Sequence, residues 1–259
     1  MTWLVFTDLD GTLLDHATYD WSPARPALDR LAALGIPLIL ASSKTAAEIA
    51  PLHGALGLGQ APAIVENGAG IWQPGDAEAA EAPAYRRLRW LLEEVPPPLR
   101  ARFCGFGDMD DRQVAALTGL SPAAAALARR RKFSEPGLWQ GTAEERRAFL
   151  GELERLGLAA RDGGRFLTLS FGATKAGRMA EIALRYGAGT TVALGDAPND
   201  REMIEAATHG VIIRNPHGPG LPELSGEAAG RIRRSAAEGP EGWNAAILDL
   251  TAGLAPQES

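Results

Sequence analysis

The sequence is poor in cysteine, in lysine, in net positive charge and in uninterrupted apolar runs. A single cysteine, Cys104, among 259 residues excludes an intrachain disulfide framework. A formal charge of −6 argues against a dedicated nucleic-acid binder, which would carry a basic face. A small anionic substrate stays compatible, because a few local cations can hold one. The longest stretches without Asp, Glu, Lys or Arg, such as Ile49–Val65, are broken by Gly, Pro and Gln and do not read as a membrane span. Met1–Asp10 has no basic region and carries two acids, so it does not read as a signal peptide. A cytoplasmic protein is the expectation. Only three of the 26 basic residues are lysine, so Lys44, Lys132 and Lys175 each stand out.

The 46% hydrophobic and 22% charged content is that of a chain able to bury a sizeable core. Apolar runs and helix signals alternate along it. Thr2–Thr7, Ile36–Ala41, Ala63–Val65, Thr191–Leu194 and Gly210–Ile213 are short apolar runs. Between them, Ser22-Pro23 reads as a helix cap plus first helical residue, and Gly35 as a stop. Thr45-Ala-Ala-Glu48 reads as a capping box, with Pro51 expected to kink or shorten its helix. Such alternation predicts a parallel sheet with helices on both faces. The middle of the chain differs. It holds three consecutive prolines at 96–98, an alanine-rich helix after Ser121-Pro122, a second capping box at Thr142 and Glu145, and a half-buried strand over Arg165–Phe171. It reads as an inserted domain over 83–171, leaving a core of 1–82 and 172–259 whose tail from Gln257 is loose.

In open parallel sheets ligands bind beyond the carboxyl ends of the strands. Four of the five runs end in chemistry-bearing residues: Asp8-Leu-Asp10-Gly11-Thr12, Ser42-Ser43-Lys44, Glu66-Asn67-Gly68 and Gly195-Asp196-Ala-Pro-Asn199-Asp200. Strands lying side by side would bring four carboxylates together with two hydroxyls. Two like charges about 4 Å apart cost on the order of 4 kcal/mol at an effective dielectric of 20. A hard divalent cation relieves that repulsion, and an oxygen-only ligand set points to Mg²⁺, with Mn²⁺ or Co²⁺ as substitutes. Ser42 or Ser43 could hold a phosphate oxygen at a helix N-terminus, or could be a plain turn residue. Lys175 opens the helix that Thr174 caps, where a cation opposes the helix dipole, so an anion nearby is expected. Asp200 also reads as the cap of Arg201–Ala207, and Asn67-Gly68 as a turn.

The four motifs Asp8–Thr12, Ser42-Ser43, Lys175 and Gly195–Asp200, in that order, resemble the haloacid dehalogenase superfamily of phosphatases. The insert between the third core strand and the lysine resembles the Cof-type group. The resemblance implies an α/β fold, a Rossmannoid core with an inserted α/β (α+β) cap. It implies Asp8 as nucleophile and Asp10 as general acid and base. Metal would be held by Asp8, the backbone carbonyl of Asp10, Asp196 and, through water, Asp200. Lys175 and Ser42 or Ser43 would meet the phosphate, with Gly11, Lys44, Asn67 and Asn199 along the phosphate and substrate path. A narrower likeness, in Ala41–Thr45 with Glu48, Val65–Gly68 and Lys132–Pro136 with Trp139, is to the mannosyl-3-phosphoglycerate phosphatases. It implies a phosphorylated glycoside substrate and release of mannosylglycerate, a compatible solute. Other sugar phosphates, glucosyl-3-phosphoglycerate among them, and a phosphomannomutase-like reaction stay open. Arg131 and Lys132 are then expected to meet a substrate carboxylate. Ser134, Glu135, Gln140 and Arg165 would meet the rest of the substrate. No nucleic-acid or membrane partner is expected, and the chain would act as monomer or homodimer.

Overall fold

The first strand, β1 (Thr2–Thr7), is apolar throughout because the sheet is covered on both sides. Its alternate side chains enter two different cores: Val5 joins one cluster, Leu4 and Phe6 the other. The same alternation runs through β2 (Leu38–Ala41) and β3 (Ala63–Val65), whose Leu38, Leu40, Ala63 and Val65 share a face with Val5, while Ile39, Ala41 and Ile64 lie on the opposite one. The computed structural model describes residues 2–76 and 82–255. The tail from Gln257 lies outside the described residues.

A short antiparallel strand, β4 (Gly70–Trp72), follows β3. The cap strands are β5 (Phe103–Gly105), β6 (Glu135–Trp139), β7 (Ala159–Gly163) and β8 (Phe166–Ser170). The chain then returns through β9 (Ala188–Gly195), β10 (His209–Arg214) and β11 (Ile232–Glu238). The large sheet has the order β11-β10-β9-β1-β2-β3-β4, parallel except at β4, and the small sheet has the order β5-β6-β8-β7, antiparallel throughout. Helices Arg25–Ala33, Ala46–Ala55 and Gly239–Thr251 cover the Val5 face, where Trp243 and Ile247 are fully buried. Helices Lys175–Arg185 and Arg201–Ala206 cover the Phe6 face through Met179, Ile182 and Met203. The expected α/β fold with a second, capping sheet is what the chain adopts. In the cap, helices Pro83–Glu93 and Ala143–Arg155 bury Leu88, Leu92, Phe149 and Leu153 against Phe103, Leu167 and Leu169.

Both capping boxes form: Thr45 with Glu48, and Thr142 with Glu145. Two expectations about helix ends do not hold. Ser22 does not cap an α-helix; Ser22–Ala24 is a 3-10 turn and the α-helix starts at Arg25. The Ser22 amide and hydroxyl are both drawn back to Asp20, at 2.9 and 2.6 Å, and Pro26 in the first turn brings no amide that needs a cap. Pro51 does not shorten its helix, which runs unbroken over Ala46–Ala55. Burial of Ala46, Ile49 and His53 and the box at its start outweigh one missing hydrogen bond.

Candidate active site

Parallel pairing of β1 with β9 sets the site. Thr7 lies opposite Leu194, and the Asp8 amide donates to the Leu194 carbonyl at 2.9 Å, so Asp8 and Asp196 emerge side by side. Asp8, Asp196 and Asp200 are buried and offer oxygens that all lie within 4.8 Å of one another. Into this cluster reaches Lys175, itself buried, with Nζ 2.7 Å from Asp8 Oδ1 and 2.6 Å from Asp200 Oδ1. The anion expected near the dipole-opposed lysine is therefore a pair of aspartates. The helix approaches this closely because Gly68 (φ +89°) packs against it: a Cβ there would lie 2.1 Å from the Thr174 carbonyl carbon.

Burial raises the Asp8 carboxyl well above its ordinary range, with Asp200 and Asp196 adding to the shift and Lys175 opposing it. Burial likewise raises Asp196, against hydrogen bonds from Thr12 and Asn215. For Lys175 burial favours the neutral amine, yet Asp200 and Asp8 hold the ammonium above its ordinary value. Three acids facing one ammonium are short of positive charge. An all-carboxylate donor set within this span fits a hard divalent cation.

Asp200 is not a side-chain cap of the following helix. Its Oδ2 turns back to accept from the Asp196 and Ala197 amides at 3.2 and 3.1 Å, while Oδ1 takes Lys175. Asp10 stands apart from the three. Its Oδ2 pairs with Lys44 at 3.0 Å, and its Oδ1 is buried with no hydrogen-bond partner among the described residues. So three of the carboxylates converge, not four. The Lys44 ammonium also lies 5.2 Å from the centre of the Tyr19 ring. Ser42 is buried at the end of β2, and its Oγ accepts the Lys44 amide at 3.2 Å. Ser43 is exposed. Asn67 and Asn199 meet each other, the Asn199 amide group donating to Asn67 Oδ1 at 3.0 Å.

Two residues hold Asp196: Thr12, quoted in the first motif but given no role there, and Asn215, which was not singled out. Thr12 Oγ1 donates to Asp196 Oδ1 at 2.6 Å, and Asn215 Nδ2 donates to Oδ2 at 2.8 Å. Asn215 follows β10, the one of the five apolar runs whose carboxyl end was not credited with chemistry; the strand-end rule applied there would have found it. Gly11 (φ +80°) makes room for it, since a Cβ would lie 2.3 Å from Asn215 Nδ2.

The cap residues expected to meet substrate have protein partners in the structure. Arg131 is almost fully buried, and its guanidinium reaches Glu66 at 3.3 Å, the Ser43 carbonyl at 3.3 Å and Ser134 Oγ at 2.8 Å. Glu66, third in the strand-end motifs but read there as a turn, accepts the amides of Lys132, Phe133 and Ser134 at 2.8, 3.1 and 2.8 Å and the Ser134 hydroxyl at 2.8 Å. Phe133 lies over Gly70 and packs on the core. Glu135 is fully buried inside the cap, bound by the Tyr85 hydroxyl, by the Gly107 amide at 2.9 Å and by Arg89 at 3.3 Å. Arg131, Ser134 and Glu135 are thus each buried and engaged by protein groups. Gln140 and Arg165 sit at the far end of the cap sheet. The pairing of Glu135 with Leu169 puts the other ends of β6 and β8 next to the core. At ~3.3 Å per residue, five residues of strand place both about 16 Å from that end. Arg165 donates to the Leu117 carbonyl at 2.6 Å.

Residues 5–85 match the sequence model of the haloacid dehalogenase-like hydrolases, and the whole chain has the fold of that superfamily with a cap domain. The solved sucrose-phosphatase of Synechocystis, in complex with sucrose and phosphate, is similar at 17% identity and TM-score 0.63, over 97% of this chain and 98% of that one. A sugar phosphatase of subclass IIB is similar at 18% identity and TM-score 0.62, over 96% and 99% of the two chains. A hypothetical protein of Geobacillus kaustophilus is similar at 19% identity and TM-score 0.66, over 97% and 99%. Among the described residues no helix is long and apolar enough to cross a membrane.

Proposed function

We propose that the protein is a divalent-metal-dependent phosphomonoester hydrolase acting on a phosphorylated sugar, with 2-O-mannosyl-3-phosphoglycerate as the substrate. The observation that carries the chemistry is the buried Lys175 ammonium, 2.7 Å from Asp8 Oδ1, beside Asp196 and Asp200. Asp8 attacks phosphorus in line; the bond from phosphorus to the ester oxygen breaks, and an aspartyl-phosphate forms. Asp10, whose Oδ1 has no competing hydrogen bond among the described residues, gives its proton to the leaving alkoxide. It then takes a proton from water as that water attacks phosphorus and the Asp8–phosphorus bond breaks. Lys175 keeps Asp8 oriented and meets the charge on the transferring group. The Ser42 hydroxyl accepts the Lys44 amide and so keeps its own proton for a phosphate oxygen. Asp8, Asp196 and the Asp10 carbonyl would hold a Mg²⁺ ion, with Asp200 behind them. That ion would supply charge neutralisation between carboxylate and phosphate.

The substrate rests on the likeness of Ala41–Thr45, Val65–Gly68 and Lys132–Pro136 to the mannosyl-3-phosphoglycerate phosphatases. The test is phosphate release from mannosyl-3-phosphoglycerate, glucosyl-3-phosphoglycerate, 3-phosphoglycerate, sucrose 6-phosphate and mannose 6-phosphate, each with Mg²⁺ and with EDTA. Metal-dependent preference for the mannosyl ester supports the whole reading. Preference for another ester replaces the substrate and keeps the hydrolase. Silence on all five, with Mg²⁺ present, overturns both.

A further inference from the structure

Glu66 is a buried charge with an unusual posture. It sits at φ +54°, followed by Asn67 at +58°, a region that non-glycine residues rarely occupy. Such strain persists only where surrounding contacts determine it. Those contacts run in two directions. On the cap side the carboxylate collects three consecutive amides, the Ser134 hydroxyl and the Arg131 guanidinium. On the core side the Glu66 amide donates to the Lys44 carbonyl and the Asn67 amide to the Ser42 carbonyl, both at 2.9 Å. The Ser43 carbonyl between them takes the Arg131 guanidinium at 3.3 Å. Three successive carbonyls, Ser42 to Lys44, are thus fixed by Glu66, by its neighbour and by its ion-pair partner. A planar trans peptide points its N–H opposite to its carbonyl, so fixing the carbonyls fixes the donors. Of those donors the Lys44 amide is taken by Ser42 Oγ at 3.2 Å and the Thr45 amide by the Glu48 carboxylate at 2.8 Å, so the Ser43 amide is the donor that the loop offers to phosphate under the functional reading.

We infer that Glu66 is a positioning residue which, through Arg131, couples the seat of the cap to the phosphate-holding loop Ser42–Lys44. The inference rests on that reading of the loop. Phosphate affinity and cap docking then rise and fall together: an anion that orders the loop tightens the seat 88 residues further along the chain. A residue that merely stabilises the fold would move melting temperature and leave the affinity of the folded protein for phosphate unchanged.

The experiment uses the full chain with Mg²⁺ and inorganic phosphate as the probe. Glu66→Gln keeps the shape, replaces one acceptor by a donor facing backbone N–H groups, and leaves Arg131 without its counter-ion. The expected result is a phosphate inhibition constant about tenfold higher, with KM for p-nitrophenyl phosphate rising in parallel and kcat changing less. Arg131→Met should do the same, Arg131→Lys should recover part of the loss, and the double variant should fall short of the product of the singles. A phosphate constant within twofold of wild type in folded Glu66→Gln overturns the coupling. Should that variant not fold, hydrogen exchange on the wild type decides. Phosphate must slow exchange at the amides of 132–134 as well as at 43–45, and no phosphate-linked change at 132–134 overturns the inference. A wild type that hydrolyses no monoester yet shows that linked protection would sink the functional reading alone.

Discussion

Replacing Lys175 by methionine removes one ammonium and leaves Asp8, Asp196 and Asp200 facing one another. Each lost contact, at 2.7 and 2.6 Å, has a Coulomb ceiling of about 6 kcal/mol at an effective dielectric of about 20. The ceiling is not reached, because Asp8 already has a raised affinity for a proton and takes one up when the lysine goes. Leaving a buried charge without its partner typically costs ~3–5 kcal/mol. At roughly 2–4 °C per kcal/mol for a chain of this size, the core transition should fall by about 6–20 °C in the absence of metal. The stranded carboxylates should then bind a divalent cation with less competition, so millimolar Mg²⁺ should raise the midpoint of the variant more than that of the wild type. Phosphate release should drop by at least about 10³-fold even with Mg²⁺. The assay is differential scanning calorimetry with EDTA and with Mg²⁺, paired with phosphate release. A midpoint within 2 °C of wild type in EDTA, or an equal Mg²⁺ increment in the two proteins, would refute the electrostatic account.

Asn215→Ala should loosen Asp196, which keeps Thr12 but loses its 2.8 Å donor. The Mg²⁺ concentration for half-maximal phosphate release should rise ~10-fold or more while the fold is kept; no shift would detach Asn215 from the metal site. Gly11→Ala combines a positive φ with a 2.3 Å approach to Asn215. It should cost about 1–3 kcal/mol in urea unfolding and reduce activity with it, and an unchanged denaturation midpoint would contradict that geometry. Thr45→Ala loses a capping box and a 3.0 Å hydrogen bond to the cap carbonyl of Leu127. It should cost about 1 kcal/mol in urea unfolding, and proteolysis near Leu127 should quicken; wild-type values for both would show that the bond is dispensable.

The core was legible in the sequence because both its signals are local. An apolar run buried on two faces needs no partner to be recognised, and an acid placed just past it needs only the strand-end rule. Asp8 and Asp196 follow from that pair of signals, and Lys175 from its place in the first turn of a helix whose dipole opposes it. Asp200 shows where the local signal misleads. Its position before a helix suggests a cap, but a lysine 25 residues earlier in sequence and the amides of Asp196 and Ala197 claim the carboxylate. The partners of the cap residues were hidden for a related reason. Arg131, Ser134 and Glu135 have the chemistry of substrate contacts, and nothing local reveals that Glu66, Tyr85 and Gly107 use it first. Burial of a polar group is decided by long-range packing, which spacing along the chain does not encode. Asn215 was missed by omission alone, since the rule that found the other strand ends covers it.

The seat of the cap is made largely from main-chain donors: three of the groups that Glu66 holds are amides of Lys132, Phe133 and Ser134. Any residue other than proline brings that amide. Those three bonds therefore constrain the path of the backbone, and proline, which lacks the N–H, is the residue they bar from 132, 133 and 134.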